Sequence, residues 1–328
     1  MPHLANTSVN ANVARHQDRL YHNLSTPQEI LTIRQEIRRF ADEHVAPVAY
    51  AIGHTEEPVA AFPRDLFAKM AKSGLFGIPF TADVGGRGLK YPTTATAVMI
   101  EELAYHSNSV AAIVDVRCIL KGNALNHGSD SIRQRYLRPL LSGNKVESFA
   151  TTEPDASTDL SVEAMGTHAT RTKDGYIVNG RKRFISSAPV ADFVVLLCVD
   201  GARMTDLVVE LNWPGVRVGE PDKKMGNHGQ LTADIYFDNV KLPMTNLVGQ
   251  PGEGLKIALQ TLTFGRIGIA ASGTGMAQAL FDHSIARLKK RQRLAKPSRS
   301  SNTGSSRWPS APLKSRTPVT FISRRHCA

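Results

Sequence analysis

The stretch FATTEPDASTDL, residues 149–160, decides how the rest of this chain is interpreted. Taken alone, Thr-Glu-Pro-Asp could be only a turn that leaves a helical domain, because proline and aspartate favour turns for local reasons. The residues before it carry apolar side chains at helical spacing, and those after it alternate as strands do. The stretch therefore marks the boundary between a helical part and a β-sheet part of the chain.

The residues before this boundary predict helices. Thr26-Pro27-Gln28-Glu29 is typical of a helix start, with an N-cap, a proline at the first position and a capping-box glutamate, and the apolar pattern then continues to Pro47. Further helical patterns cover 63–73, which Gly74 ends, then 93–105 and 132–141. We expect an N-terminal all-α domain over residues 25–147, after a loose leader at 1–24.

The residues after the boundary predict strands. Residues 165–186 form two candidate strands around Asp174-Gly175, a favoured hairpin turn. Segments 194–199, 207–211 and 235–237 are further candidates, so a middle β-domain over 148–247 is expected. Helical spacing returns from Gly254, which indicates the first helices of a C-terminal α-helical domain at 248–292. The predicted fold class is multidomain α+β, with helices, a β-domain and helices in that order.

The basic charge of the chain is confined to its end. The formal net charge is +11, yet residues 283–328 hold twelve Lys and Arg and no acid, which leaves 28 basic and 29 acidic residues in 1–282. The tail offers only Trp308 and Phe321 as aromatics that could stack on bases. We therefore expect no nucleic-acid partner, and interpret 293–328 as an aberrant basic tail.

The apolar runs and the cysteine spacing indicate where the protein is located and whether it binds a metal. No run of eighteen apolar residues is present and the start shows no secretion signal, so neither a membrane span nor export is expected. Cys118, Cys198 and Cys327 are far apart in the sequence, without the spacing of a metal site. A reducing cytoplasm and no bound metal are the expectations.

Six stretches together resemble one family. They are PFTADVGGRG (79–88), IEELA (100–104), RYLRPLL (135–141), FATTEPDASTDL (149–160), YIVNGRKRFISS (176–187) and GRIGIAA (265–271). Each is weak alone, but in this order and spacing the chain resembles the acyl-CoA dehydrogenases over residues 28–291. Gly85-Gly86 is interpreted as a turn with positive φ in preference to a phosphate cradle, since no strand precedes it.

The resemblance implies a bound FAD that accepts a hydride from an acyl-CoA thioester. It implies flavin contacts by Phe149, Thr151, Thr152, Thr158, Phe184, Ile185, Ser186 and Arg291. Thr151 and Thr152 would face the isoalloxazine ring, with Phe149 at its edge. Phe184 would pack against the ring, with the hydroxyl of Ser186 as a donor near N5. The family more often has Gly-Ser where this chain has Ser157-Thr158.

The resemblance also implies substrate and subunit contacts. Thr158, Thr263 and Arg266 are expected on the acyl-CoA side, with Arg266 near the adenosine end, where a guanidinium suits phosphate or ribose. Arg291 corresponds to an arginine that reaches the FAD of a neighbouring subunit, so the family is homo-oligomeric. Each arginine could instead be only a solvated helix charge. An electron-transfer flavoprotein is the expected acceptor.

The catalytic base is the part that the resemblance does not supply. The reaction needs a carboxylate beside the α-carbon, yet the position that a minority of the family uses is Gly265, and no acid follows Asp282. Codons compatible with residues 300–309, read one base earlier, encode an acid-containing helical sequence. We therefore expect a frameshift near residue 293 and a C-terminally truncated, inactive dehydrogenase. An engineered or naturally functional tail is the alternative.

Three other functions stay open at this point. A flavin oxidase or monooxygenase of the same fold would use oxygen in place of an electron-transfer flavoprotein. A non-catalytic flavoprotein would bind FAD and acyl-CoA without turnover. A basic nucleic-acid-binding protein would use the tail. Acyl-chain length depends on the depth of a pocket that the sequence does not define.

Overall fold

The structure is a computed structural model that describes residues 15, 25–56, 58–293 and 296–297. Its helices are α1 Gln28–Phe40, α2 Ala46–His54, α3 Arg64–Lys72, α4 Pro92–His106, α5 Asn108–Asp115, α6 Gly122–Asn126, α7 Asp130–Ile132, α8 Arg138–Leu141 and α9 Gly254–Lys290. Its strands are β1 Glu147–Ala150, β2 His168–Arg171, β3 Gly175–Ser186, β4 Phe193–Asp200, β5 Arg203–Glu210, β6 Val216–Val218, β7 Thr232–Pro243, β8 Leu247–Val248, β9 Gln292–Arg293 and β10 Lys296–Pro297. Helices, then a sheet, then helices is the predicted α+β class, which is confirmed.

The chain divides into two compact units. Unit 1 comprises residues 1–51, 89–112 and 267–328, and unit 2 comprises 52–88 and 113–266. The predicted leader 1–24, apart from Arg15, and most of the tail 293–328 lie outside the described residues. Among the helices that are described, none is long and apolar enough to span a bilayer.

Unit 1 is built around helix α4. Its residues from Thr94 to Tyr105 are all buried, and it packs against α1. Glu102 of α4 is buried and accepts ion pairs from arginines, including Arg34 at 2.8 Å. A buried carboxylate needs such partners because removing it from water is costly.

Two features of the first helices differ from the prediction. The capping box is wrong: Glu29 accepts hydrogen bonds from the backbone N–H groups of Lys90 and Tyr91, at 3.1 and 3.0 Å. The helix also continues past Pro47, in α2. A π-helical segment, Ala41–Val45, comes just before it and shifts the hydrogen bonding, with the N–H of Ala46 donating to the carbonyl of Ala41. Pro47 thus follows directly on a change in the hydrogen-bonding pattern, at the second residue of α2.

Unit 2 contains an eight-stranded sheet in the order β6-β7-β3-β2-β4-β5-β8, with β1 beside β4. The β2–β3 hairpin around Asp174-Gly175 is confirmed, and β1, β6 and β8 are strands of this sheet that the sequence did not predict. Alternate residues of β4 face two hydrophobic clusters, as a two-residue period requires. Val195 and Leu197 belong to a cluster that also contains helical residues, which we call the helix–sheet cluster. Val194 and Leu196 belong to a cluster formed mainly by strands, which we call the strand cluster.

The two clusters differ in the elements that contribute their side chains. The helix–sheet cluster combines strand residues with helical ones, among them Tyr136, Leu140, Ile257 and Ala258. The strand cluster is formed almost entirely by residues of the sheet. Because the start of α9 belongs to the first of these, it is fixed to the same core as the strand that begins the FATTEPDASTDL stretch.

The predicted glycine turn lies in unit 2. Gly85 has φ +95°, as a turn with positive φ requires. A Cβ on Gly86 would lie 2.2 Å from the carbonyl oxygen of Phe80, so the backbone approaches too closely for any side chain. These two requirements explain Gly-Gly here without a phosphate.

Candidate functional site

The FATTEPDASTDL stretch begins in the sheet and then leaves it. Phe149 and Ala150 are the last residues of β1, which runs parallel to β4. Their side chains are buried in different clusters, Phe149 in the helix–sheet cluster and Ala150 in the strand cluster. Thr151 and Thr152 follow at the end of the strand and are partly exposed. Their hydroxyls and backbone are thus presented at a strand terminus.

A bulge in β3 presents the second predicted segment. Lys182 pairs with Ile235 and Ile185 with Ala233, so β3 has one residue more than β7 between these pairs. Phe184, inside the bulge, has φ +58° and is 55% exposed. Bulges re-aim side chains in this way, and they recur beside active sites. An aromatic ring is therefore held on the surface of the sheet instead of in its core.

The two segments are tied together by hydrogen bonds. The backbone N–H of Arg183 donates to the carbonyl of Thr152 at 2.9 Å. The hydroxyl of Ser148 donates to the carbonyl of Ser186 at 3.0 Å. These bonds bring the predicted residues Thr151, Thr152, Phe184 and Ser186 into one place, which we call the platform.

A buried ion pair lies directly beneath the platform. The Lys182 ammonium, fully buried, lies 2.8 Å from Oε1 of Glu153 and donates to the carbonyl of Thr151 at 3.1 Å. Glu153 also accepts from the backbone N–H groups of Gly166, at 2.6 Å, and Thr167, at 3.0 Å. Three backbone groups, from residues 151, 166 and 167, thus converge on one carboxylate and one ammonium.

Electrostatics favour the charged form of the glutamate. Burial raises the pKa of Glu153, but the Lys182 charge and the hydrogen bonds from Thr167 and Gly166 outweigh it and hold that pKa below its usual range. Burial lowers the pKa of Lys182, and the neighbouring Glu153 opposes this. Hydrogen bonds to charged groups are stronger than neutral ones, so the pair is a firm anchor for the backbone that it contacts.

A second buried carboxyl lies in the same unit. Asp206 of β5 is fully buried, and neither of its oxygens has a hydrogen-bond partner within the described part of the chain. Burial raises the pKa of Asp206 to about 8, although the Lys182 charge acts in the opposite direction. The group is therefore protonated at neutral pH, and it is not a competing anion for Lys182.

Positive φ values are concentrated around the platform. Ser157, Phe184 and Ser187 have φ of +54°, +58° and +67°, and only five non-glycine residues of the described chain have positive φ. Such conformations are rare for side-chain-bearing residues and tend to cluster at functional sites. Ser157 stands where the acyl-CoA dehydrogenases, which the chain resembles, more often have glycine. Its left-handed backbone is one that glycine adopts without strain.

The residues predicted on the substrate side lie on α9. Thr263 and Arg266 are exposed, about one and a half and about two turns after Ala258, which belongs to the helix–sheet cluster with Phe149. The hydroxyl of Thr263 donates to the carbonyl of Leu259 at 2.8 Å. Gly265, between them, is buried. The same core thus fixes both the start of α9 and the platform strand.

Besides Phe149, which is buried in the helix–sheet cluster, three predicted flavin contacts are not brought onto the platform by side-chain contacts. Ile185 is 3% exposed within the strand cluster, so only its backbone is available there. Thr158 is exposed in the loop after β1. Arg291 belongs to unit 1, follows the end of α9 and donates its N–H to the carbonyl of Arg287 at 2.8 Å. Their roles stay predictions.

The platform fits a flavin. An isoalloxazine needs a flat apolar contact and hydrogen-bond donors at its electron-accepting end. The half-exposed ring of Phe184 and the partly exposed Thr151, Thr152 and Ser186 supply both. No group of side chains that could hold a metal ion occurs among the described residues.

Sequence reasoning missed the buried pair under this platform. Glu153 belongs to the quoted stretch, and Lys182 to YIVNGRKRFISS, but neither was predicted to act in the site. One signal was present, because Tyr176, Val178 and Lys182 are an even number of residues apart in β3 and so face the same side. A lysine on an inward face needs a buried acid as partner.

The helices, the sheet and the platform together define a multidomain α+β protein that gathers partly exposed hydroxyl groups and an aromatic ring at a strand end. Family models match in the same order: acyl-CoA dehydrogenase N-terminal domain at residues 27–144, middle domain at 148–240 and C-terminal domain at 252–305. A short-chain specific acyl-CoA dehydrogenase of Clostridium acetobutylicum is 34% identical over 283 residues, which are 84% of this chain and 71% of the relative. The chain belongs to the acyl-CoA dehydrogenase family.

Two further comparisons show how wide that family is. A 3-(aryl)acrylate reductase of Clostridium sporogenes is 34% identical over 271 residues, 81% of this chain and 70% of the relative. The solved structure of butyryl-CoA dehydrogenase from Megasphaera elsdenii superposes with a TM-score of 0.85 at 27% identity, covering 92% of this chain and 79% of that one. Solved structures with this fold include complexes with FAD and with FADH2. FAD is the cofactor of the family.

Proposed function

We propose that this chain carries the FAD platform of an enzyme that introduces an α,β double bond into an acyl-CoA thioester. The observation that carries the proposal is the hydrogen bond from the N–H of Arg183 to the carbonyl of Thr152. It brings Thr151 and Thr152 next to Phe184 and Ser186. Those are the residue types that flavin binding needs, arranged on a rigid sheet.

The chain's own residues have distinct tasks in this proposal. FAD, when bound, supplies the hydride acceptor. The N–H and hydroxyl groups of Thr151, Thr152 and Ser186 stabilise negative charge at the electron-accepting end of the ring, as preorganised donors do. Phe184 covers one face and excludes water from it. Thr158, Thr263 and Arg266 orient the acyl-CoA, with the Arg266 guanidinium suited to its phosphate or ribose.

The residue that would remove the α-proton is not supplied by residues 1–328. Gly265 occupies the position of the alternative base and has no side chain, and no Asp or Glu occurs after Asp282. Asp282 itself is 1% exposed and accepts a hydrogen bond from the Tyr105 hydroxyl at 3.0 Å. We infer that residues 1–328 by themselves do not dehydrogenate acyl-CoA, whatever the origin of the tail.

That inference favours a second candidate function. A flavoprotein that binds FAD and acyl-CoA without turnover needs the platform but no base, and Gly265 is compatible with it. The leading proposal includes three further features. They are an electron-transfer flavoprotein as electron acceptor, a homo-oligomer in which Arg291 contacts the FAD of a neighbouring subunit, and a cytoplasmic location. The buried thiols of Cys118 and Cys198 are consistent with a reducing compartment.

One set of measurements tests the proposal. Residues 1–328 are expressed and titrated with FAD by flavin fluorescence, and acyl-CoA-dependent dye reduction is followed for chains from four to sixteen carbons. We expect saturable FAD binding and no dye reduction. Absence of FAD binding would refute the platform, and robust turnover would refute the missing base. Oxygen consumption without dye reduction would indicate an oxidase.

A pair of variants isolates the base. Gly265→Glu places a carboxylate at the alternative position, and Gly265→Gln is the uncharged control of the same size. Acyl-CoA-dependent reduction of FAD that appears in the glutamate variant alone would show that only the proton acceptor was lacking. Turnover in both variants would contradict that reason.

A further inference from the structure

We propose that Lys182 and Glu153 are positioning residues that hold the flavin platform in its binding conformation. This inference rests on the proposed FAD site. Neither side chain is available to touch the cofactor, because Lys182 is fully buried and Glu153 is 5% exposed. They act through the backbone of the residues that are available.

The first step is the contact with Thr151. The Lys182 ammonium donates to the carbonyl of Thr151 at 3.1 Å, which fixes the peptide that joins Thr151 to Thr152. A positive charge on that carbonyl also polarises the same peptide, so its N–H becomes a stronger donor. The N–H of this peptide belongs to Thr152, one of the predicted flavin contacts.

The second step is the carboxylate that keeps Lys182 in place. Glu153 Oε1 lies 2.8 Å from the ammonium, and the same carboxylate accepts the N–H groups of Gly166 and Thr167. The carbonyl of Glu153 accepts the N–H of Ser157 at 2.8 Å, which closes the loop that follows. The charged pair therefore fixes Thr151 and residues 166–167 directly, while the main chain of Glu153 closes the segment at Ser157.

The third step connects the pair to the bulge. Lys182 is the last residue of β3 in regular register before the bulge, and the next residue, Arg183, donates its N–H to the carbonyl of Thr152. A displacement of Lys182 would move Arg183 and, with it, the exposed Phe184. Both halves of the platform thus depend on the same two buried charges.

The test removes both charges together. A single substitution would leave one buried charge unpaired and could prevent folding, whereas replacing both members of a buried pair is often tolerated. The variant is Lys182→Met with Glu153→Gln. The matched control is Arg181→Met with Asp234→Asn, which removes the neighbouring β3–β7 ion pair, at 2.5 Å, whose arginine is partly exposed.

Hydrogen exchange of the FAD-free protein decides the structural part. We expect at least tenfold faster exchange in peptides 164–170 and 181–187 of the Lys182/Glu153 variant, and unchanged exchange in 193–199, because only local opening is affected. Equal acceleration in all three peptides would show a general loss of stability. Wild-type protection throughout would overturn the proposal, as would similar local effects in the control.

FAD titration decides the functional part. We expect the dissociation constant for FAD to rise at least tenfold in the Lys182/Glu153 variant and to change less than twofold in the control. Faster local exchange with unchanged FAD affinity would overturn the positioning role. If the wild-type chain itself binds no FAD, the proposed function fails, while the exchange experiment still decides whether the pair holds the segment.

Discussion

The buried carboxyl of Asp206 should make the stability of unit 2 depend on pH, and this dependence can be measured. This carboxyl is fully buried in β5, and burial raises its pKa to about 8 from an ordinary value of 3.8. Because the folded protein holds this proton to higher pH than the unfolded chain does, Asp206 lowers the free energy of unfolding progressively between about pH 4 and pH 8. Above that range its destabilising effect is complete.

The size of the effect follows from the same values. One pKa unit corresponds to about 1.4 kcal/mol, so the two units between pH 5 and pH 7 correspond to at most about 3 kcal/mol. Asp206→Asn keeps the shape of the protonated acid and cannot ionise. We expect the stability of the variant relative to wild type to increase with pH, by up to about 3 kcal/mol between pH 5 and pH 7.

Urea unfolding at pH 5, 6, 7 and 8 measures this difference. Trp213 packs against the strand cluster and reports on unit 2, and a Trp308→Phe background makes it the only tryptophan, since the chain has two. Asp174→Asn, in the exposed β2–β3 turn, controls for the loss of one negative charge. A constant difference between Asp206→Asn and wild type at all four pH values would refute the reasoning.

Three further substitutions test the backbone and the packing. Ser157→Gly should raise the free energy of unfolding by about 0.5 to 1 kcal/mol, because φ +54° strains a residue with a Cβ; a loss of stability in urea would contradict this. Gly86→Ala should lower it by about 1 to 3 kcal/mol, since a Cβ would meet the Phe80 carbonyl at 2.2 Å, and an unchanged melting temperature would speak against that contact. Glu147→Gln should lower it by about 3 to 5 kcal/mol, because it leaves the buried Arg117 guanidinium, now 2.8 Å from Glu147, without its countercharge; a change below 1 kcal/mol would show that this pair is not needed.

The sequence predicted those features that depend on neighbours along the chain. The Asp174-Gly175 hairpin and the helix that Gly74 ends both follow from turn and cap preferences, and both are present. The capping box at Glu29 is wrong because its carboxylate instead meets two N–H groups some sixty residues away. Local propensity gives no information about such a competitor.

The same distinction explains what was found at the site. Thr151, Thr152 and Phe184 were predicted because their segments resemble the family's motifs, whereas Glu153 and Lys182 are 29 residues apart and meet only in the folded sheet. Their pairing requires the sheet to bring β3 next to the segment after β1, where the N–H of Arg183 donates to the carbonyl of Thr152. No single segment contains that information.

The site therefore separates into parts with different requirements. The platform is complete within unit 2, because the strand end, the bulge and the buried pair that we infer to hold them all belong to residues 113–266. Proton abstraction requires a carboxylate that Gly265 cannot supply. Flavin binding, as proposed, uses backbone and hydroxyl groups on a rigid sheet, whereas dehydrogenation needs one additional charged side chain placed beside the substrate. FAD affinity and turnover can therefore be measured as separate properties. A substitution that weakens FAD binding acts on the platform, and one that changes turnover at unchanged FAD affinity acts on proton abstraction.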